Sequence, residues 1–265
     1  MTMEAPGTYH HSLVVANLAE SAAEKIGANA TMCRVCAYFH DVGKLVKPQY
    51  FTENMSFDRN PHDDLAPSMS ALIIIAHVKE GVDLALKNKL NQHIIDIIQQ
   101  HHGTSLVYYF YQRARQQQED ARAGGKIMNI REEDIPEVDE ESFRYPGPKP
   151  QTKESAIVSL ADIVESASRS LEKPTPQKIE QLVNELIEER IADGQLDECD
   201  LTLGELRVIA ARFRFTLMTM LHTRIAYPKG ESKFTPISED DRLRMRPDVM
   251  ASLRKPDSAP PVSAA

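Results

Sequence analysis

The chain has 265 residues, 42% of them hydrophobic and 26% charged, which is typical of a folded protein with room for one large domain or two small ones. Its formal net charge of −8 argues against a general binder of nucleic-acid polymers, because that function needs a clustered positive surface. The three cysteines are too few for a disulfide framework, no apolar run is long enough to span a bilayer, and no signal peptide is recognisable.

Helical periodicity dominates the chain, and we find no strand pattern or internal repeat. Apolar residues recur every three to four positions in eight segments, each of which predicts a helix. These segments cover residues 11–26, 29–41, 68–86, 92–102, 105–118, 152–170, 176–192 and 203–226. Residues suited to cap a helix N-terminus begin several of them: Asn29, Asn91, Thr152 and Thr175.

The segments between the helices differ in character. Residues 46–67, rich in Pro, Asn and Asp, predict a long structured loop. Residues 119–151 are acidic, contain Gly-Gly and several Pro, and predict a mobile loop or flap. Residues 229–265 predict a poorly ordered tail. We therefore expect one all-α domain over 1–228, with a C-terminal helical extension over 176–226.

Histidine and aspartate recur along the chain at helices or their ends. These positions are His11, His40, Asp41, His77, His101, His102 and Asp162. Because each helix must bury its own apolar stripe, these polar residues either converge on one site or are satisfied individually. Imidazole and carboxylate together suit Fe, Mn, Co, Ni or Zn, and seven such ligands are enough for two ions with open positions. A single His-Asp pair such as His40-Asp41 is often only a surface pair; the ordered series is the stronger signal.

Several separated motifs carry a resemblance to the HD superfamily of metal phosphohydrolases, and within it to the HD domain of PgpH-type cyclic di-AMP phosphodiesterases. The motifs cover roughly residues 5–228. They are Gly-Thr-Tyr-His-His-Ser-Leu at 7–13, His-Asp-Val-Gly-Lys at 40–44, Ile-Ala-His-Val-Lys-Glu-Gly at 75–81, His-His-Gly-Thr at 101–104, Tyr-Phe-Tyr at 109–111, Tyr-Pro-Gly-Pro at 145–148 and Leu-Ala-Asp-Ile-Val-Glu at 160–165. Gly-Thr-Ser follows the second His pair, where HD-GYP phosphodiesterases of cyclic di-GMP carry Gly-Tyr-Pro, so that subgroup is set aside.

The resemblance implies an HD-domain helical bundle with two metal ions. His11, His40 and Asp162 would bind one ion, His77, His101 and His102 would bind the other, and Asp41 would bridge them. A bridging hydroxide would attack phosphorus, with Asp41 and Lys44 as catalytic residues, and the product would be linear pApA. The implied ions are Fe or Mn first, then Co, Ni or Zn.

Further substrate contacts are predicted, each with an alternative. They are Lys44, Asn54, His62, Thr104, Tyr109 and Arg169. His62 is equally well a turn residue in its loop. Tyr109 could stack on a base or pack in an aromatic run. Arg169 could contact phosphate or pair with Glu165 one helical turn away.

The function predicted from these motifs is hydrolysis of a cyclic dinucleotide. The rivals are an HD-type nucleotidase or phosphomonoesterase and a non-catalytic, metal-dependent nucleotide sensor. We expect no nucleic-acid polymer as partner, and a homodimer is left open. The expected location is the cytoplasm, as an excised domain of a bacterial inner-membrane protein. The Cys33-x-x-Cys36 spacing fits a metal or redox site, but its place on an apolar helix favours the core.

Overall fold

The structure is a computed structural model that describes residues 1–55, 60–128, 137–172 and 174–222. Within these ranges it contains helices and no strand, apart from an isolated bridge between Leu106 and Arg144. The all-α prediction is therefore confirmed. The predicted tail at 229–265 lies outside the described residues.

Eight α-helices are described, and they follow the predicted segments closely. They are α1 (Pro6–Ile26), α2 (Ala30–Phe39), α3 (Pro67–Lys87), α4 (Gln92–Gln100), α5 (Tyr108–Met128), α6 (Lys153–Ser168), α7 (Pro176–Ala192) and α8 (Leu203–His222). Short 3-10 turns occur at Val42–Val46, Pro48–Tyr50, Thr52–Asn54, Pro61–Asp64 and Glu141–Phe143. The described part of the predicted loop at 46–67 contains three of these turns.

The predicted caps explain where the helices begin. The side chain of Asn29 accepts a hydrogen bond from the backbone N–H of Met32, and Thr152 forms a reciprocal capping box with Ser155. Asn91 and Thr175 accept equivalent bonds at the starts of α4 and α7. Local side-chain chemistry thus fixes the entry of four helices.

The prediction of a loop over 119–151 is wrong at its start. Helix α5 continues to Met128, and exposed pairs one turn apart such as Arg115–Glu119 lie along it. Residues 137–151 are anchored on the fold, since the N–H of Val107 donates to the carbonyl of Phe143 and the N–H of Tyr145 donates to that of Ser105. Residues 129–136 lie outside the described part of the chain.

The main hydrophobic core joins α1, α2, α6, α7 and α8. Leu18, Ile157, Leu160, Ile209 and Phe213 are among its fully buried members. Because α7 and α8 contribute to this core, the C-terminal extension packs as part of the bundle. Cys33 and Cys36 belong to the same core and are free thiols. Burial raises the pKa of Cys36 to about 12, so the core interpretation of these cysteines is confirmed.

Helix α3 meets the turn after α2 at a contact between two glycines. A Cβ placed on Gly43 would lie 1.9 Å from the carbonyl oxygen of His77 and 2.5 Å from the backbone nitrogen of Gly81. Only a residue without a side chain allows this approach. The contact brings the end of α2 directly against the middle of α3.

Candidate metal centre

Seven side chains from five helical segments converge in the interior. Their potential ligand atoms form two groups, and the atoms within each group all lie within 4.8 Å of one another. The first ligand set is His11, His40, Asp41 and Asp162, and the second ligand set is Asp41, His77, His101 and His102. These are the residues predicted from the sequence, in the predicted grouping.

The helices place these ligands by simple means. His11 lies in the second turn of α1, His77 in the middle of α3 and Asp162 in the middle of α6, each on the buried face of its helix. The pairs His40-Asp41 and His101-His102 directly follow the last residues of α2 and α4. Each pair stands where its helix ends, and both members of the pair reach the centre.

Asp41 occupies the middle of the centre and is 1% exposed. Its Oδ2 lies 3.3 Å from Nε2 of His11 and 3.4 Å from Nε2 of His40, and its Oδ1 lies 3.4 Å from Nε2 of His77. Neither oxygen has a well-directed hydrogen bond from a described residue, although Nζ of Lys44 lies 2.7 Å from Oδ2. A buried carboxylate with open lone pairs facing imidazole nitrogens on both sides fits a pair of cations.

Charge around Asp41 supports its ionised form. Burial is the largest influence and raises its pKa, but Lys44 and His40 lower the pKa well below its usual range. The Nζ atom of Lys44 lies 2.7 Å from Oδ2 of Asp41 and 3.0 Å from Oε1 of Glu53. Lys44 thereby keeps its charge at the edge of the centre.

Three histidines are oriented by main-chain carbonyls. The Nδ1 atoms of His40, His77 and His101 lie 2.7, 2.6 and 2.8 Å from the carbonyl oxygens of the residues three positions earlier. Because a carbonyl only accepts hydrogen bonds, Nδ1 carries the proton and Nε2 is left with its lone pair facing Asp41. This is the tautomer that a metal-ligating imidazole needs.

His11 is oriented by a side chain instead. Its Nδ1 contacts Oε2 of Glu165, which is buried, and Arg169 binds the same carboxylate through Nε (2.8 Å) and Nη2 (2.7 Å). The predicted pairing of Arg169 with Glu165 is therefore present. The role of Glu165 at His11 was not predicted; the available signal was a carboxylate three residues after Asp162 on the same helix face.

His102 is the ligand nearest to solvent. Its ring stacks on Tyr145 at a centroid distance of 4.3 Å, and its Nδ1 lies 3.6 Å from Oδ2 of Asp162. Burial, followed by the neighbouring His101, lowers the pKa of His102 well below its usual range. The imidazole is therefore neutral and able to ligate near pH 7.

One cavity lies at the centre, and a second cavity adjoins the first. The metal cavity, of about 240 Å³, is lined by residues of the centre and its surroundings, including Lys44, His77, His102 and Asp162. The side cavity, of about 980 Å³, lies between α5, α6 and α7 and is lined by Tyr108, Tyr111 and Arg144 among others. Both cavities share three lining residues: Leu106, Ile163 and Arg190.

Two predicted substrate contacts hold the fold together. The side-chain oxygen of Asn54 accepts hydrogen bonds from the N–H groups of Gly7 (2.9 Å) and Thr8 (3.2 Å) at the start of α1. Thr104 is bound by Gln195, which accepts from its N–H (2.9 Å) and donates to its hydroxyl (3.0 Å). Neither residue is among those that line the two cavities, and both have a hydrogen-bonding role in the fold; their contacts with substrate stay predictions.

His62 and Tyr109 also lie away from the centre. The Nε2–H of His62 donates to the carbonyl of Tyr50 at 2.8 Å, and its ring packs on Phe110, which favours its role as a loop residue. Tyr109 is 67% exposed and is not among the residues that line either cavity, whereas its neighbour Tyr108 lines the side cavity. A stacking contact of Tyr109 with a base stays a prediction.

None of the described helices is both long enough and apolar enough to cross a membrane.

Comparison with known proteins gives consistent matches. A family model described as the HD domain matches residues 8–167. The chain is 46% identical over 230 residues to the cyclic-di-AMP phosphodiesterase PgpH of Bacillus subtilis (strain 168), which covers 87% of this chain and 30% of that protein. The chain thus spans about a third of the length of the curated relatives it matches.

Solved structures resemble the fold over most of the chain. The HD domain of the L. monocytogenes phosphodiesterase PgpH has a TM-score of 0.74 and 44% identity, covering 83% of this chain and 96% of that one. The structure of the same domain in complex with cyclic-di-AMP has a TM-score of 0.74 and 45% identity, covering 82% and 94%.

Proposed function

Because this chain belongs to the HD domain family, we propose that it is a metal-dependent phosphodiesterase that hydrolyses a cyclic dinucleotide, with cyclic di-AMP as the preferred substrate. The observation that carries this proposal is the convergence of six further potential metal ligands around Asp41. The names of the relatives supply the substrate, since residue chemistry alone does not distinguish adenine from guanine.

The proposed cofactors are two transition-metal ions, Fe or Mn first and Co, Ni or Zn as alternatives, one in each ligand set. When bound, such ions lower the pKa of water and neutralise charge on phosphate oxygens. The residues themselves supply the geometry: Asp41 is shared between the sets, and main-chain carbonyls or Glu165 orient the imidazoles.

Residues beside the ligands prepare the cavity for a phosphodiester. Lys44 places an ammonium group at the edge of the metal cavity, where it would stabilise negative charge on non-bridging phosphate oxygens. Phe51 and Ile74 line the same cavity and give it an apolar wall. Hydrolysis adds one water across a P–O3′ bond, so the product is the linear dinucleotide pApA with a 5′-phosphate and a free 3′-hydroxyl.

The experiment is a side-by-side assay of cyclic di-AMP, cyclic di-GMP and a nucleoside monophosphate with purified protein, its metals measured and Mn²⁺ added. Conversion of cyclic di-AMP to pApA supports the proposal. Release of phosphate from the monophosphate alone favours the phosphomonoesterase, and tight binding of a cyclic dinucleotide without turnover favours the sensor. Attachment to a bacterial inner membrane through other parts of a longer protein, and dimerisation, stay predictions.

A further inference from the structure

Arg190, in the last turn of α7, stands at the junction of the two cavities. It lines the metal cavity and the side cavity, together with the apolar residues Leu106 and Ile163. It also lies outside residues 8–167, the part of the chain matched by the HD family model. The cation is therefore contributed to the centre by the C-terminal extension.

The guanidinium of Arg190 has no partner among the described residues. Its Nε atom is buried without a hydrogen bond, and none of the ion pairs in the described part of the chain involves it. Other partly buried arginines are paired: Arg144 binds Glu140 and Asp193, and Arg169 binds Glu165. An unpaired cation in such a place is costly unless an anion binds there.

The electrostatic surroundings of Arg190 are also consistent with the binding of an anion. Burial is the main influence on Arg190 and lowers its pKa, while the nearby carboxylates Glu189, Asp193 and Asp162 act in the opposite direction. Those carboxylates do not come within ion-pair distance in the structure, so the five donors of the guanidinium remain available. A planar guanidinium matches the oxygens of a phosphate with two parallel hydrogen bonds.

The sizes of the cavities indicate which phosphate would reach Arg190. The metal cavity, at about 240 Å³, falls below the roughly 300–1,000 Å³ that sites for whole organic ligands occupy, whereas the side cavity, at about 980 Å³, lies within that range. The two volumes fit a dinucleotide that has one phosphodiester at the metal ligands and extends past the junction into the side cavity. Its second phosphodiester is the anionic group that follows along the ring.

We propose that Arg190 is a substrate-binding residue that holds the second phosphodiester of a cyclic dinucleotide, the one that is not hydrolysed. This inference rests on the proposed function and adds to it a residue that selects substrates with two phosphates. Arg190 lies outside both ligand sets, so metal binding does not depend on it.

The test compares Arg190→Gln with the wild type on two substrates: cyclic di-AMP, which has two phosphodiesters, and bis(p-nitrophenyl) phosphate, which has one. We expect kcat/KM for cyclic di-AMP to fall roughly 10- to 100-fold, mainly through KM, because a charge-assisted phosphate contact is lost. Activity on bis(p-nitrophenyl) phosphate, metal content and melting temperature should stay within about twofold or unchanged. Arg190→Lys should recover part of the loss.

Arg207→Gln, which removes an exposed arginine on α8, is the matched control and should behave as the wild type. Equal losses on both substrates, or no loss on cyclic di-AMP, would overturn the proposal. If the wild type hydrolyses neither substrate, the proposed function fails instead, and calorimetric titration of cyclic di-AMP into wild type and Arg190→Gln still decides the inference: equal affinities reject it and a weaker variant supports it.

Discussion

The two ligand sets share Asp41 but are supported in different ways. In the second set, His77 and His101 are fixed by main-chain carbonyls of their own helices. In the first set, His11 is fixed by the carboxylate of Glu165, which Arg169 holds in turn. The first set also contains a second carboxylate, Asp162, whereas Asp41 is the one carboxylate of the second.

This difference shifts the pKa values of His11 and His101 in opposite directions. Burial is the largest influence on His11 and lowers its pKa, but Asp162, Asp41 and Glu165 together raise the pKa well above the usual value. Burial also dominates His101, and there the pKa is lowered. The lesson is that the orientation of His11 depends on side chains that substitution can change, whereas the orientation of His40, His77 and His101 depends on the backbone.

The largest effect is expected from substitution of Asp41, the residue that the two ligand sets share. Asp41→Ala should abolish binding of both metals and lower hydrolysis of cyclic di-AMP by more than about 100-fold, since even substitutions behind a ligand cost roughly 10- to 100-fold. Metal analysis by mass spectrometry and initial rates measure this. Retention of two metals with full activity would contradict the assignment of Asp41, and the circular dichroism of the variant controls for folding.

Substitution within one set should separate the two positions. Asp162→Ala should remove one metal from the first set, and His102→Ala should remove one from the second, so that each variant retains about one ion per chain. Both should lose most of the hydrolysis, because one ion alone cannot clamp both oxygens of the reacting phosphate. Metal content per chain after dialysis is the measurement; loss of both ions from either variant would show that the sets are not independent.

Substitution of Glu165 tests the supporting carboxylate. Glu165→Gln keeps the shape of the side chain but removes the charge that orients His11, so metal affinity of the first set should fall roughly 10- to 100-fold while the second set is unaffected. Competition with a chelator, followed with a metal-sensitive dye, gives the two affinities. Glu24→Gln, an exposed change on α1, is the control; unaltered affinity in Glu165→Gln would restrict this residue to packing.

The smallest effect is expected at Arg169, whose side chain is 39% exposed. Arg169→Gln should weaken metal affinity of the first set by about 2- to 5-fold, because a solvent-screened ion pair contributes little. A direct contact between Arg169 and a substrate phosphate would give a different result. A raised KM for cyclic di-AMP at unchanged metal affinity would instead support substrate binding by Arg169.

The ligands could be predicted from the sequence because each is defined by its own helix. His11, His77 and Asp162 interrupt apolar helix faces, and the pairs beginning at His40 and His101 stand at helix ends. A polar residue on a buried face needs a partner, whatever the distant parts of the chain contribute. The same local reasoning located the helix caps.

Residues whose roles depend on distant partners were not predictable in this way. Asn54 bonds α1 residues 46 and 47 positions away, and Thr104 bonds Gln195 across 91 positions. The local sequence does not distinguish a polar residue that binds substrate from one that hydrogen-bonds two distant segments to each other. In the sequence, Arg190 is one of several charged residues on a polar helix. Its position at the junction of the two cavities follows only from the packing of α7.

The contact between Gly43 and Gly81 sets a fixed frame for redesign of the centre. It joins the segment that carries His40 and Asp41 to the helix that carries His77 through backbone atoms, so the spacing between these two segments does not rely on side chains. Ligands could therefore be exchanged to alter metal preference while this spacing is kept. Alanine at position 43, in contrast, would force the two segments apart and change the spacing for every metal at once.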